Sequence, residues 1–322
     1  MQTRTIVGTG PIAEVAVEIL RPYGEIVIAP DGNESSLIPL LENAVAVVVR
    51  GEGSVSRTVI ESAPNLKVIG RSGVGYNNID IKAATDHRIP VVYTPGAGAR
   101  AVAEAAMAMM LALCKNLAYW DEQMKTGRWN SRNDFNRNGD LDESTLGIIG
   151  FGRIGQLLAE MARPFNMTII AHDPFVPPKL AVERSVELVE LEDLLNCSDF
   201  ICIHALLTDE TRGLINRQRL EQVKRGACLI NLARGGLVES LDILHDALEE
   251  GRLSAVGLDV FEPEPPDVSH PIFRMSNCLS APHALGMTRR AMARIFTSMA
   301  EDMAAVLTGR QPQFVVNLEV FS

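Results

Sequence analysis

Short runs of β-branched and other apolar residues alternate with helical patterns along the whole chain, and this alternation predicts parallel sheets wrapped by helices. In the first third the predicted strands are TIVG, EIVIA, AVAVVV, LKVIG and PVVYT, separated by amphipathic stretches such as PIAEVAVEILRPYG. They make a complete open α/β domain before residue 100. A second series, TLGIIG, MTIIAHD, FICIHA, ACLINLA, SAVGLDV and CLSAP, predicts a six-stranded sheet, the size of a full dinucleotide-binding domain. Ile154, Leu157, Leu158, Met161 and Phe165 are spaced to cover one face of a helix after its first strand. A long helix near residues 100–120 links the two series, and the polar stretch NSRNDFNRNGD after it has the composition of a surface loop. RRAMARIFTSMAEDMAAVLTG predicts a last long helix ending at Gly309, with QFVVNLEV returning to pack elsewhere.

Two strand-to-helix turns carry glycines in the dinucleotide-binding pattern. VGTGPIAE at residues 7–14 reads GxGxxA, and IGFGRIGQ at 149–156 reads GxGxxG. An aspartate follows each at the same interval, Asp31 after Gly8 and Asp173 after Gly150. A phosphate-binding loop works through backbone N–H groups at a helix start, so donors decide between them. Pro11 removes one donor from the first loop, and Asp31 lies in APDGN, an ordinary turn signal. The second loop keeps every donor, and Asp173 ends an apolar strand where its carboxylate can accept both ribose hydroxyls of NAD. The second loop is therefore expected to hold the dinucleotide and the first to hold none. The same carboxylate would repel a 2′-phosphate, which favours NAD over NADP.

Composition narrows the class. With 322 residues, 47% hydrophobic and 22% charged, the chain is expected to build two globular domains with ample core. Thirty basic residues against 40 acidic ones give a net charge of −10, with no long basic run, which argues against a nucleic-acid or anionic-membrane partner. An anionic substrate must then be captured by a few local cations. No signal-peptide pattern opens the chain, and AVAEAAMAMMLALC, interrupted by Glu104, is short for a membrane span and reads as a buried helix. The five cysteines form no CxxC pair and no metal-ligand spacing, so they are expected in the core, with no metal site and a reducing, cytoplasmic compartment.

Three polar residues stand just after predicted strands of the second series, where open α/β sheets place their ligands: Arg234 in NLARGG, Glu264 in GLDVFEPEP and His283 in SAPHALG. Reduction of a 2-keto acid by hydride needs a cation for the carboxylate and carbonyl oxygen. It also needs a proton donor for the developing alkoxide and a carboxylate to keep that donor charged. Arginine, histidine and glutamate supply those roles in that order. Plainer readings stand beside this one: Arg234 as a surface ion-pair partner, Glu264 as a solvated loop residue, His283 as a loop histidine with a backbone partner. His87, His172, His204, His245 and His270 carry no comparable setting and are expected to be structural or exposed.

At this point the chain resembles the D-isomer-specific 2-hydroxyacid dehydrogenases over nearly its whole length. The motifs that carry the resemblance are LKVIGRSGVGYNNID, VVYTPGAGARAVAEAAMAMMLAL, LGIIGFGRIGQLLA, ALLTDETRGLIN, LINLARGGLV, GLDVFEPEP and APHALGMT. The resemblance implies an α/β fold of two doubly wound parallel-sheet domains. A Rossmann cofactor domain, residues 99–287, is inserted in a flavodoxin-like substrate domain, residues 1–98 and 288–322, with the active site in the cleft between them. The helices near 100–120 and 288–308 would be connection and hinge. It implies catalytic roles for Arg234, Glu264 and His283, and NAD contacts from Gly150, Gly152, Arg153, Ile154, Gly155, Asp173, Thr208, Ala233, Asp259 and Gly286. Asp259 would meet the nicotinamide amide. Val74 and Gly75 of SGVGYN would meet the substrate carboxylate through their backbone N–H groups. Members of the family are typically homodimers, paired through the cofactor domain.

Arg50 and Arg71 resemble positions of the 3-phosphoglycerate dehydrogenase branch, where extra positive charge suits a phosphate; a surface acid is the plainer partner for Arg50. A phosphoglycerate enzyme of this length would be the short form. Glyoxylate or hydroxypyruvate reduction is the rival substrate reading, and an NAD-sensing corepressor is the rival of another class. The formate dehydrogenase branch has glutamine where Glu264 stands. Gly98 replaces a frequent asparagine and Leu206 a frequent proline of the family, which touches a substrate-side hydrogen bond and the shape of the cofactor pocket.

Overall fold

The computed structural model describes residues 4–51 and 53–322. The chain divides into two units, one running to Gly98 and resuming over Met287–Ser322, the other comprising Ala99–Gly286. In the first unit β1 (Thr5–Gly8), β2 (Glu25–Ile28), β3 (Ala44–Val49), β4 (Val68–Arg71) and β5 (Val91–Val92) form a parallel sheet in the order β2-β1-β3-β4-β5. This is the flavodoxin-like order. AVAVVV, the central β3, is buried at every position because both faces of the sheet are covered, which is why it reads as a continuous apolar run. Phe296, Met299 and Met303 of the helix Arg289–Leu307 pack with Ile6, Ala46 and Val48 on one face. On the other, Val47 and Val49 meet Val59, Ile60 and Ala83.

The return segment closes the sheet edge. Val315 bridges Val92 antiparallel, the Val316 N–H donates to the Val91 carbonyl, and the buried Asn317 side chain accepts the Val91 N–H and donates to the Ile89 carbonyl. Covering these groups removes an open edge that would otherwise template pairing with another chain. PVVYT yields only two strand residues because the Tyr93 N–H is turned to the Phe314 carbonyl.

The second unit holds β6 (Thr145–Ile149), β7 (Thr168–His172), β8 (Glu187–Leu188), β9 (Phe200–Ile203), β10 (Ala227–Asn231), β11 (Leu253–Leu258) and β12 (Cys278–Ser280). They pair in parallel in the order β12-β11-β10-β9-β6-β7-β8. The sheet therefore has seven strands where six were expected. The extra one, β8, is two residues long with Glu187 exposed, too short to show a period. Strand order reverses between β6 and β9, the switch point where doubly wound sheets bind dinucleotides at their carboxyl ends. Phe151, Leu158, Ala159 and Met110 fill one face, and Leu194, Ile201, Leu229, Leu244 and Val256 the other. Burying a side chain of this size contributes about 1.5–3 kcal/mol.

The helix expected near 100–120 is broken. It comprises Ala99–Cys114 and Leu117–Lys125, bent by 57°, with Asn116 left-handed at φ +49. The Cys114 carbonyl accepts the Gly139 N–H, and the Asn116 side-chain amide donates to the Arg137 carbonyl, so the polar stretch that follows pins the break. Ala103, Ala106 and Met110 of the first piece are fully buried, and no single helix among the described residues is long and apolar enough to cross a membrane. Cys114, Cys202 and Cys228 are core residues, whereas Cys197 is exposed and Cys278 half-buried, which corrects the placement of all five in the core.

Candidate active site

The two glycine turns have different interiors. After β6 the chain passes Gly150 at φ +94, and a Cβ there would lie 2.5 Å from the Ala205 N and 2.6 Å from the His204 carbonyl carbon. Only glycine allows both the left-handed turn and this approach of two backbones. The ten-residue helix Arg153–Ala162 starts at once, with Gly152 as N-cap, no side chain capping it, and both Gly152 and Arg153 exposed. Gly155 is buried against the Gly150 carbonyl, and Ile154 packs on the core. Asp173 anchors the loop: its Oδ2 accepts the Phe151 N–H at 2.8 Å and its Oδ1 the Phe175 N–H at 3.0 Å. An uncapped helix start with exposed glycine backbone, beside a fixed carboxylate, fits the pyrophosphate and ribose of a dinucleotide.

The first turn is filled by its own side chains. Thr9 is buried and its Oγ1 accepts the Arg50 N–H at 2.9 Å, while Ile12 and Ile28 crowd Gly8. The helix Glu14–Leu20 begins well beyond the glycines, and Asp31 accepts the Asn33 N–H within its own turn. Shared spacing in the sequence thus conceals two different loops.

Arg234, Glu264 and His283 follow β10, β11 and β12, three adjacent strands. The Arg234 guanidinium donates from Nη1 to the Ala233 carbonyl at 2.7 Å. Burial lowers its proton affinity and the neighbouring Glu264 charge opposes that shift. Glu264 Oε1 accepts the Phe261 N–H at 3.1 Å, and Oε2 lies 2.9 Å from His283 Nδ1. A carboxylate can only accept, so Nδ1 carries the hydrogen, which leaves Nε2 to exchange a proton with a bound molecule. His283 itself is left-handed at φ +52. The two residues after it are held by Asp259, which is 4% exposed and accepts the Ala284 N–H at 2.9 Å and the Leu285 N–H at 3.2 Å. Burial raises the proton affinity of that carboxylate, and these two N–H groups draw it back down.

The arginine and glutamate loops touch through backbone. A Cβ on Gly235 would fall 2.0 Å from the Phe261 carbonyl carbon. Thr208 is exposed and shares hydrogen bonds with Thr211, and Gly286 faces Val102. Leu206 is 73% exposed. In the first unit Arg71 donates to the carbonyls of Gly75 at 2.6 Å and Ser72 at 3.1 Å in its own loop, and to that of Val49 on β3 at 3.3 Å. Val74 stands 43% exposed at the tip of that loop. The Arg50 guanidinium lies 5.3 Å over the Phe296 ring, and Gly98 abuts Ile295. Among the described residues no three His, Cys, Asp or Glu side chains gather as metal ligands.

One side chain the motifs did not single out is Asn231, which ends β10 and braces the turn before Arg234; a polar residue closing the apolar run ACLIN was its only signal. His204, after β9, has both ring nitrogens buried without a partner among the described residues, and burial lowers its pKa to about 4. The unfolded chain therefore takes up a proton first as pH falls. The contribution of the neutral His204 ring is complete above about pH 6.5 and should drop by on the order of 2–3 kcal/mol toward pH 4. Thermal melts across this range should show a shallower acid slope for His204→Leu than for the parent chain.

Residues 107–284 match the model described as D-isomer specific 2-hydroxyacid dehydrogenase, NAD binding domain. A D-3-phosphoglycerate dehydrogenase of Methanocaldococcus jannaschii is 40% identical over 97% of this chain and 59% of its own, so the chain spans about three fifths of that relative. A hydroxypyruvate reductase of Thermotoga maritima is 36% identical over 90% of this chain and 94% of its own. The crystal structure of an NAD-dependent formate dehydrogenase from Staphylococcus aureus in complex with NAD superposes with a TM-score of 0.85 at 31% identity, covering 97% of this chain and 98% of that one. The glycine loop, the fixed Asp173 and these likenesses lead to one conclusion: the chain belongs to the D-isomer specific 2-hydroxyacid dehydrogenase family and carries its NAD-binding domain.

Proposed function

We propose that the chain transfers hydride between NAD and the 2-carbon of a D-2-hydroxy acid or its 2-keto acid. The observation that carries this reading is the 2.9 Å pairing of His283 Nδ1 with Glu264 on the loops next to Arg234. When bound, the nicotinamide supplies or accepts the hydride. Gly150, Gly152, Arg153, Ile154, Gly155 and Asp173 would hold the pyrophosphate and adenosine ribose, and Thr208, Ala233, Asp259 and Gly286 would line the rest. Arg234 binds the substrate carboxylate and polarises its carbonyl, His283 gives or takes the proton at Nε2, and Glu264 orients the ring. A catalytic proton donor needs both an exchangeable nitrogen and a fixed ring, and the Glu264 contact supplies the second.

The substrate proposal is a small 2-hydroxy acid with a second anionic group, 3-phosphoglycerate foremost. Val74 and Gly75 would offer backbone to the carboxylate on a loop that Arg71 holds together, and Arg50 would add charge. Reduction of hydroxypyruvate or glyoxylate is the second reading, favoured by a hydroxypyruvate reductase that matches along 94% of its length. Phosphohydroxypyruvate, hydroxypyruvate, glyoxylate and pyruvate, each followed by loss of NADH absorbance, separate the two. Turnover of none would defeat both. Pairing into homodimers is part of the proposal, supported by exposed Leu117, Met124, Trp129 and Phe135 on and after the broken helix. A reducing, cytoplasmic setting accords with five free cysteines, three of them buried.

Asp173 sets the cofactor preference in this reading. Asp173→Ser removes the charge that repels a 2′-phosphate, so the NADH-to-NADPH ratio of kcat/KM should fall by about 10- to 100-fold. Part of that change will be weaker NADH binding, because the Phe151 N–H loses its acceptor. An unchanged ratio would remove Asp173 from the ribose site.

A further inference from the structure

Arg234 sits in a turn braced from below. Asn231 ends β10, between β9 and β11, where its backbone belongs to the parallel ladder on both sides. Its side chain is 1% exposed, and both ends of the amide are spent on the turn. Oδ1 accepts the Ala233 N–H at 3.0 Å, and Nδ2 donates to the Arg234 carbonyl at 2.9 Å. Asn231 thereby grips the peptides on either side of the one joining Ala233 to Arg234. The carbonyl of that middle peptide is the group that accepts the Arg234 guanidinium at 2.7 Å.

We infer that Asn231 is a positioning residue for Arg234: it fixes the peptide on which the guanidinium rests, and so fixes the direction in which the remaining guanidinium donors point. The side chain suits this task by chemistry and length. A carboxylate would accept from Ala233 but could not donate to Arg234, a serine would not span both groups, and a glutamine would overshoot by a methylene. A buried amide is costly unless both of its ends are satisfied, and here both are satisfied by the same turn. Ionic or bidentate capture of a carboxylate depends on guanidinium direction, so loosening this turn acts on substrate capture and carbonyl polarisation.

The inference rests on the proposed role of Arg234, and its test separates the two. Asn231→Ala and Asn231→Asp are made in the full chain, alone and combined with Arg234→Lys. NADH is titrated first. Oxamate, an amide that mimics a 2-keto acid and cannot accept hydride, is then titrated into the NADH complex, and kcat and KM are measured on whichever keto acid the parent chain reduces. NADH affinity is expected to stay within about threefold, while oxamate affinity and kcat/KM fall on the order of 10- to 100-fold, the scale of two lost hydrogen bonds. In the Arg234→Lys background the further loss should be under about threefold, because the group being positioned is gone. Asn231→Asp carries the same readouts if Asn231→Ala does not fold. Unchanged oxamate affinity, a full loss repeated on top of Arg234→Lys, or a parallel loss of NADH binding would each overturn the inference. Arg234-dependent oxamate binding without turnover of any acid would defeat the redox reading and leave the inference standing on the titration. Absence of both oxamate binding and turnover would overturn the two together.

Discussion

Turnover by a His283→Ala variant is expected to fall by about 10²- to 10⁴-fold, the range a positioned general acid contributes, with NADH binding near that of the parent chain. The expectation rests on three contacts. Glu264 takes Nδ1, so the proton that matters is at Nε2. Glu264 is itself held by the Phe261 N–H, which keeps the ring from swinging with its partner. The left-handed backbone of His283 is followed directly by two N–H groups bound to Asp259, so the loop is fixed immediately after its strained point. His283→Gln is the sharper control, since glutamine keeps a hydrogen-bonding side chain and cannot exchange a proton. It should lose nearly as much turnover as alanine. Steady-state rates with a fluorescence titration of NADH read both quantities, and turnover within tenfold of the parent would remove His283 from the chemistry.

The parts of this molecule that repeat locally were legible in its residues. Continuous apolar runs such as AVAVVV mark buried parallel strands, and Arg234, Glu264 and His283 stood out as polar residues just after predicted strands. What lay beyond reading depends on partners far away in the chain. Asn116 interrupts a helix because residues 137 and 139 claim its last carbonyl and its side chain, and no local period records that. The Arg71 guanidinium donates to the carbonyl of Val49 on β3 as well as to those of Ser72 and Gly75 nearby, and the first of these is a link that no local pattern records. The Asp259 carboxylate also accepts two N–H groups directly after His283, a link across 25 residues that its position after β11 does not announce. The first glycine turn could be doubted from Pro11, but that Thr9 and Ile12 fill it was written only in the packing. Side-chain type announces the chemistry of a site, whereas the hydrogen bonds that aim it are set by how the loops fold, within one turn at Arg234 and between loops at His283.

Gly235→Ala tests that aiming with a single methyl group. The added Cβ would stand 2.0 Å from the Phe261 carbonyl carbon and 2.3 Å from its oxygen, and both are backbone atoms that cannot rotate aside. Relief requires the Arg234 turn and the Glu264 loop to separate by more than an ångström, since carbon atoms rest at about 3.5–4.0 Å. Phe261 gives Glu264 its N–H donor, so the displacement reaches the carboxylate that orients His283. A misplacement of that size costs about 100-fold in rate, and overpacking of a tight contact adds a stability loss of about 1–3 kcal/mol. The variant should therefore melt a few degrees lower and lose about 100-fold or more in kcat/KM, with NADH binding affected less, because Gly150 and Asp173 lie on other loops. A variant that loses stability but keeps its kcat/KM would mean that the two loops are free to part without disturbing the chemistry, and that the close contact at Gly235 serves packing alone.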